Sequence, residues 1–221
     1  MRSGSTVRGR ALGVELRAKR QAAGLSAGAV ANLLGWSPSR LSKVESGDRG
    51  TADVDVAALL AVCGVIGAEF VRLVGLCRES DRDTWVRPFG EDLVLVAEQT
   101  RATTIVGYHP VAVPSLLRTD RLVDVPARAE FFVGEEALRR TTSEQVLHLL
   151  LVPAKVRVVP ARQGPSGPFT LLGDAVVHLE TLVADVYLER LDHVAAYSAA
   201  VRHLTEIAWD VDRSRELLAT T

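Results

Sequence analysis

Apolar residues in the first eighty positions recur every three or four residues, which is the spacing of one face of a helix. Leu12 and Leu16 share such a face, and Gly24 follows them in the position of a C-cap glycine. Serine and glycine mark later helix starts and ends in the same way. The pattern therefore predicts five helices, over residues 11–23, 26–35, 37–47, 52–62 and 68–79.

A charged stretch that contains proline and glycine follows these helices. Residues 80–92 have the sequence SDRDTWVRPFGED, in which Pro88 and Gly90 interrupt any regular element. We place a domain boundary there because this composition is typical of linkers. The chain is therefore predicted to hold a flexible basic tail, a helical domain, a linker and a second domain, over residues 1–10, 11–80, 81–92 and 93–221.

Helical and alternating patterns are mixed beyond this boundary. The hydrophobic spacing predicts three helices, over residues 91–106, 143–151 and 192–209, and a short helix after the last of them. Short apolar and β-branched runs predict strands over residues 130–133, 155–160, 169–173, 175–180 and 182–187. The second domain is therefore predicted to be α+β with a small antiparallel sheet.

Charge is distributed unevenly along a chain whose formal net charge is −1. Residues 1–50 contain nine Lys+Arg against three Asp+Glu, a net charge of +6, so the other 171 residues sum to −7. Such a difference predicts an anionic partner for the N-terminal part alone. The alternative is a solvated basic tail without a partner.

The sequence carries no convincing motif for catalysis, metals or cofactors. Cys63 and Cys77 form no CxxC pair, the five histidines form no HExxH motif, and GxxxxGK[ST] does not occur. Residues 24–28 (GLSAG) match the GxSxG spacing, but they lie between two predicted helices, where Ser26 is an N-cap, and not on the strand-to-helix turn that a nucleophilic serine requires. We therefore predict no catalytic residue, no metal and no cofactor, and a protein that is not an enzyme.

The longest uncharged apolar run, residues 56–68, has 13 residues. A membrane span needs roughly 18, so we expect a cytoplasmic protein without a membrane partner.

Residues 26–47 combine two short predicted helices and a three-residue turn, an arrangement that places the second helix in the DNA major groove. Gly35 lies in the turn, and Leu41 and Val44 face the predicted core. The outward side chains of the second helix can hydrogen-bond a base edge or a phosphate, and they are Ser37, Ser39, Arg40, Ser42 and Lys43.

The segment LGVELRAKRQAAGLSAGAVANLLGWSPSRLSKVESGDRG resembles the helix-turn-helix domain of the Cro/C1 repressor (Xre-type) family. The resemblance covers about residues 12–64 and implies a five-helix, lambda-repressor-like domain that binds DNA. It implies that the five outward residues face the bases. It also implies phosphate contacts by Ser26 and Ser46, and a buried structural ion pair between Arg20 and Glu45.

One position departs from the pattern of this family. A glutamine commonly follows the serine that opens the first of the two helices, and its amide contacts phosphate, but this chain has Ala27 there. The adjacent Gly28 also disfavours a helix by about 1 kcal/mol. We therefore expect weaker binding, or phosphate contacts shared by other basic residues, namely Arg8, Arg10 and Arg49.

The second domain resembles a domain of unknown function that follows a helix-turn-helix in actinobacterial regulators of the WhiJ-like and antitoxin-like types. The resemblance rests on Glu98, Ala102 and the segment YHPVAVPSLLRTDRL (108–122). Ser115 and Arg118 depart from the usual glycine and glutamine, and the stretch after this segment is shorter than usual. Any ligand or partner surface built from these elements is affected by the departures.

Three functions fit these observations. The first is a sequence-specific transcriptional regulator, a homodimer that reads the major groove of double-stranded DNA with the helix over residues 37–46. The second is an antitoxin-like regulator whose C-terminal domain binds a small cognate protein. The third is a small-molecule-responsive regulator whose effector or partner site contains Tyr108, Pro114, Leu117 and Arg118.

Overall fold

The computed structural model describes residues 4–88, 93–120 and 125–220. The chain forms two compact units, residues 1–85 and residues 86–221, each with its own hydrophobic core. The division falls inside the stretch predicted as a linker, of which residues 89–92 lie outside the described part.

The described residues of the first unit form five helices, as the sequence predicts: α1 (Val7–Ala22), α2 (Ala27–Leu34), α3 (Pro38–Ser46), α4 (Asp53–Val62) and α5 (Gly67–Arg78). Helix α1 begins four residues earlier than predicted, because the Thr6 hydroxyl caps it by accepting a hydrogen bond from Gly9 N at 2.9 Å. Residues 7–10 of the predicted flexible tail are therefore helical, and residues 1–3 lie outside the described part.

All five helices contribute apolar side chains to the core of the first unit. Residues that are at most 2% exposed include Leu12, Leu16, Val30, Leu41, Val56, Leu59 and Leu73. The apolar residues whose spacing predicts the helices are therefore the residues that are buried in this core. The polar positions between them remain for solvent or a ligand.

The second unit is built on a seven-stranded sheet, counted over the described residues, in the order β1-β7-β6-β5-β2-β3-β4. The strands are β1 (Thr84–Pro88, which begins at the end of the first unit), β2 (Ile105–His109), β3 (Ala129–Gly134), β4 (Lys155–Val159), β5 (Phe169–Leu172), β6 (Val176–Glu180) and β7 (Ala184–Leu188). The helices are α6 (Leu93–Arg101), α7 (Glu135–Leu138), α8 (Ser143–Leu151), α9 (Leu191–Ile207) and α10 (Val211–Ala219).

This sheet is large and mixed, which corrects the prediction of a small antiparallel sheet. Strands β5, β6 and β7 form an antiparallel ladder, and β5 also pairs antiparallel with β2. Strands β2, β3 and β4 run parallel, with Tyr108 opposite Phe132 and Phe132 opposite Arg157. Parallel neighbours are joined by long crossovers, and the hydrophobic alternation of a strand does not identify its partner in the sheet.

The helix predicted over residues 91–106 is wrong at its end. Helix α6 stops at Arg101, and Ile105 to His109 form β2 inside the sheet. Ile105 is 1% exposed and Tyr108 is 3% exposed, so this apolar run is a buried strand. A short apolar run alone does not distinguish a buried strand from a helix. Residues 91–92, the predicted start, lie outside the described part.

Helix α9 packs against β5 and β6, and its Val194 and Leu204 join Tyr108, Phe132 and Phe169 in the core of the second unit. Helix α10 packs against β4 and α8. Among the described residues, no helix has the length and apolar composition that crossing a lipid bilayer demands.

Candidate nucleic-acid interface

Local capping determines where α2 ends and α3 begins. Gly35 closes α2 with a φ of 64°, a left-handed conformation that glycine adopts without steric cost. Ser26 begins α2 by accepting a hydrogen bond from Ala29 N at 3.1 Å, and Ser37 begins α3 by accepting one from Arg40 N at 3.2 Å. The sequence of the turn therefore fixes the connection between the two helices.

Helix α3 has a buried face and an exposed polar face. Leu41 and Val44 are each 2% exposed and belong to the core. The five residues predicted to face the bases are all exposed, and we call them the α3 polar face: Ser37, Ser39, Arg40, Ser42 and Lys43. The structure therefore brings the predicted base-reading residues together on one surface.

Two contacts hold the Arg40 side chain. Its Nη2 and Nε donate hydrogen bonds to the Asp55 carboxylate at 2.8 Å and 3.3 Å. Its guanidinium carbon also lies 4.8 Å from the centroid of the Trp36 ring. Sequence reasoning missed Asp55, because an acidic residue in the first turn of α4 is equally well explained by the helix dipole.

Lys43 is exposed, and its ammonium group has no hydrogen bond or ion pair with any other described residue. The exposed hydroxyls of Ser39 and Ser42 also lack partners within the described part of the chain. The Lys43 ammonium is thus a hydrated point charge that attracts an anion. No internal contact has to break before it binds one.

The two serines predicted to contact phosphates differ in their surroundings. The Ser26 oxygen accepts a hydrogen bond as the cap of α2, which leaves its own proton for donation. The Ser46 hydroxyl lies 3.0 Å from Lys43 O and 2.9 Å from Asp48 Oδ1. Ser26 is therefore available to a phosphate as it stands, whereas Ser46 already donates within the unit.

Arg10 and Arg49, also predicted to contact phosphates, hydrogen-bond within the first unit. Arg10 Nη1 donates to Ser5 O at 2.5 Å. Arg49 donates to Asp81 O at 2.9 Å and forms an ion pair with Asp83. A phosphate would have to compete with these internal acceptors.

Arg20 and Glu45 form a buried, bidentate ion pair between α1 and α3. Arg20 Nε donates to Glu45 Oε1 at 2.5 Å, and Nη2 donates to Oε2 at 3.1 Å. The two residues are 9% and 6% exposed. The hydrogen bond with Glu45 raises the pKa of Arg20 above its usual value. Because Glu45 lies on the helix that carries the polar face, the pair fixes α3 relative to α1.

Two glycines of α1, which sequence reasoning missed, approach the end of α3 closely. A Cβ atom on Gly9 would lie 2.4 Å from Gly47 O, and one on Gly13 would lie 2.4 Å from Glu45 O. No side chain fits at either place without a shift of backbone. The four-residue spacing of these glycines, which puts them on one helix face, is the sequence signal for such an approach.

Acidic residues after position 50 compensate part of the N-terminal positive charge. Residues 1–85 contain 12 Lys+Arg and 9 Asp+Glu, a net charge of +3, compared with +6 for the first fifty residues. Lys19 pairs with Glu69 at 2.6 Å, and Arg8 pairs with Glu79 at 2.6 Å. The attraction for an anionic partner therefore depends on exposed cations such as Lys43.

The second unit contains a cavity of about 220 Å³ lined by residues of β2, β5 and β6. Tyr108, Pro114 and Arg118, three of the four residues predicted as an effector or partner site, line it. The fourth predicted residue, Leu117, is fully buried and does not line this cavity. Its carbonyl accepts a hydrogen bond from Gln145 Nε2 at 2.6 Å.

Two of the polar residues in the wall of this cavity are histidines. His109 Nδ1 accepts hydrogen bonds from Val111 N at 3.3 Å and Ala112 N at 3.0 Å, which places the proton of the neutral ring on Nε2. Burial lowers the pKa of His109 and favours this neutral form. His178 Nε2 lies 2.8 Å from Asp185 Oδ1. Within the described residues, no group of three or more His, Cys, Asp or Glu could hold a metal ion.

The helices and the α3 polar face define the first unit as a helix-turn-helix domain, a class of domain that binds DNA. Two family models match the chain, each within one unit. Residues 11–73 match the model described as Helix-turn-helix domain, and residues 121–220 match the model described as Domain of unknown function (DUF5753). The chain thus combines a helix-turn-helix domain with a second domain to which the matching family assigns no activity.

The solved structure of TrmBL2, an archaeal chromatin protein that shows a novel mode of DNA binding, is similar to part of this chain. The TM-score is 0.38 and the identity 16%, over 65% of this chain and 61% of the TrmBL2 chain. The match therefore spans less than two thirds of that protein, and a TM-score this low does not define a shared fold. No curated protein sequence matches this chain significantly.

Proposed function

We propose that this chain is a sequence-specific, non-catalytic DNA-binding transcriptional regulator that reads the major groove with α3. One observation carries the proposal: α3 exposes two cations and three hydroxyls on one face while Leu41, Val44 and Glu45 anchor its other face. A short helix that is buried on one side and polar on the other is suited to entering a groove.

The side chains of the α3 polar face supply the two kinds of contact that recognition requires. Lys43 and Arg40 match the O6 and N7 acceptors of guanine, and the serine hydroxyls can donate to or accept from a base edge. Ser26, at the N-terminus of α2, can donate to a phosphate together with the free N–H groups of the first turn. Phosphate contacts set the position of the domain, and base contacts select the sequence.

We further propose that the chain acts as a homodimer. One recognition helix reads only a few base pairs, and two half-sites about 34 Å apart multiply the specificity. Light scattering on the purified chain measures this directly: a dimer mass supports the proposal, and a monomer mass both free and on DNA contradicts it.

Selection of bound sequences from random duplex DNA tests the main proposal. The full chain is expected to enrich a motif, and Lys43→Ala is expected to lose about 1–3 kcal/mol of discrimination at one position of it. Lys19→Ala is the matched control, since Lys19 lies on α1 and pairs with Glu69. If Lys43→Ala enriches the same motif as the wild type with the same affinity, the α3 polar face does not contact the bases.

The cavity of the second unit supports a second candidate, a small-molecule-responsive regulator. Its volume of about 220 Å³ suits a small polar ligand, and Arg118, His109 and Glu180 provide a cation, a donor and an acceptor in its wall. The ligand would act on DNA binding only if it bound two states of the chain with different affinities.

Thermal unfolding of the full chain with amino acids and small carboxylic acids tests this candidate. A ligand present at a hundred times its Kd stabilises the folded state by about 2.7 kcal/mol. The shift in Tm is expected to disappear in Thr170→Leu, which narrows the cavity, and to persist in Thr205→Leu on the exposed face of α9. Absence of a shift with every compound in the wild type counts against the candidate.

A further inference from the structure

The guanidinium of Arg40 is fixed along one edge and over one face. Asp55 accepts hydrogen bonds from Nη2 at 2.8 Å and from Nε at 3.3 Å, which is a side-on, bidentate geometry. The centroid of the Trp36 ring lies 4.8 Å from the guanidinium carbon. An arginine held in this way loses little rotamer freedom when it binds a further ligand.

The contacts with Asp55 leave a second edge of the guanidinium unused. A guanidinium has five N–H groups in a planar fork, and Asp55 engages one on Nε and one on Nη2. The Nη1 group and the other Nη2 proton remain, and they form the end-on pair that matches O6 and N7 of guanine. The Arg40 side chain is 52% exposed and that of Asp55 is 16% exposed, so the arginine faces solvent and the carboxylate lies behind it.

We propose that Asp55 is a positioning residue for base recognition and that it directs the end-on edge of Arg40 to one guanine in each half-site. This inference rests on the proposed function. Trp36 supports the same orientation, because a guanidinium stacked on an aromatic ring keeps its N–H edges directed sideways. The specificity of α3 therefore includes a carboxylate that lies on α4 and touches no base.

A carboxylate near DNA repels the phosphates, so loss of Asp55 has two effects of opposite sign. The removed charge strengthens binding to all sequences, whereas release of Arg40 weakens selection of one base. Asp53 separates these effects. It lies in the same first turn of α4, but it accepts a hydrogen bond from Arg78 at 2.9 Å and has no contact with Arg40.

The test compares the full chain with Asp55→Asn, Asp53→Asn and Arg40→Lys in selection of bound duplex DNA, followed by titration of the selected site and of its single-base variants. Asp55→Asn and Arg40→Lys are expected to lose about tenfold or more in preference for guanine at the same position. Asp53→Asn is expected to keep that preference. Circular dichroism and Tm verify that each variant is folded.

Three results would overturn the inference while leaving the proposed function in place. Unchanged guanine preference in Asp55→Asn shows that the pair only joins α3 to α4. A loss of affinity that is equal for all bases shows that Arg40 contacts phosphate. A stronger preference in Asp55→Asn shows that Asp55 withholds Arg40 from DNA. A wild-type chain that selects no motif overturns the proposed function and this inference together.

Discussion

Gly13 on α1 lies against the carbonyl of Glu45 on α3, so closely that a Cβ atom at Gly13 would be 2.4 Å from that oxygen. Glu45 is also the partner of Arg20. Glu45 thus joins α3 to α1 in two ways, by the close approach of its backbone to Gly13 and by its buried ion pair with Arg20. Because both contacts involve α1, changes on α1 are expected to alter the position of α3.

Gly13→Ala is expected to lower the free energy of unfolding by about 1–3 kcal/mol, because the added methyl group forces the two helices apart. Gly75→Ala is the matched control, since Gly75 also lies in a helix but nothing would be within 4 Å of its Cβ atom. The control is expected to be neutral or stabilising by up to about 1 kcal/mol. Urea unfolding of both variants measures the difference. Equal stability of the two variants would show that α1 and α3 separate at little cost.

Removal of Glu45 is expected to cost about 3–5 kcal/mol, because the buried Arg20 guanidinium is left uncompensated. Removal of Arg20 is expected to cost less, because Arg17 Nε still lies 3.5 Å from Glu45 Oε2. Replacement of both, as Arg20→Met with Glu45→Leu, is expected to cost clearly less than the sum of the single variants. A double-mutant cycle by urea unfolding gives the coupling energy directly. Additive costs would mean that the two residues act independently, contrary to their contact at 2.5 Å.

The pH dependence of stability is expected to contain a contribution from His109. Burial lowers its folded pKa below the unfolded value, so the unfolded chain binds the extra proton first. The contribution is fully present above the unfolded pKa of about 6.5 and is lost as the pH falls through the folded pKa. Between pH 7.5 and pH 5, the Tm of His109→Asn is expected to fall by less than the Tm of the wild type. His203→Asn, at an exposed position of α9, should behave as the wild type, and identical curves for all three chains would refute the assignment.

Cys77 is expected to react with thiol reagents only when the first unit opens. It is 4% exposed, its Sγ lies 3.4 Å from Thr51 O, and burial raises its pKa to about 11. The thiolate is the reactive form, so in a Cys63→Ser variant the labelling rate at pH 8 should be very low. The rate should rise with urea in parallel with unfolding. Rapid labelling in native buffer would show that α5 opens locally.

Much of the first unit could be predicted from its sequence because its signals are local. The glycines that end α2 and α3 and the serines that begin them act within one turn of the chain. Leu12 and Leu16 on α1, and Leu41 and Val44 on α3, are buried residues at helical spacing. The α3 polar face follows from the same periodicity. The early start of α1 at Val7 was missed, because Thr6 caps a helix whose first turn includes the buried Arg8.

The second unit was predicted less well because its sheet depends on distant pairings. Residues 105–109 and 129–133 pair in parallel across a long crossover, and no alternation within either strand indicates the other. Of the residues predicted as an effector or partner site, Tyr108, Pro114 and Arg118 line the cavity, whereas Leu117 is buried and does not line it. Their role in binding stays a prediction. Leu117 lies in a segment of mixed polarity, and whether such a residue is buried depends on the elements that pack over it and not on its neighbours in sequence.

The sequence by itself determined the helix-turn-helix element and the side chains that α3 exposes, since capping and periodicity act over a few residues. The tertiary structure decided which charges are paired. Arg49 meets Asp83 and Arg40 meets Asp55, while Lys43 has no ionic partner among the described residues. These pairings arise where residues distant in the chain pack together, and a charge count along the sequence does not contain that information.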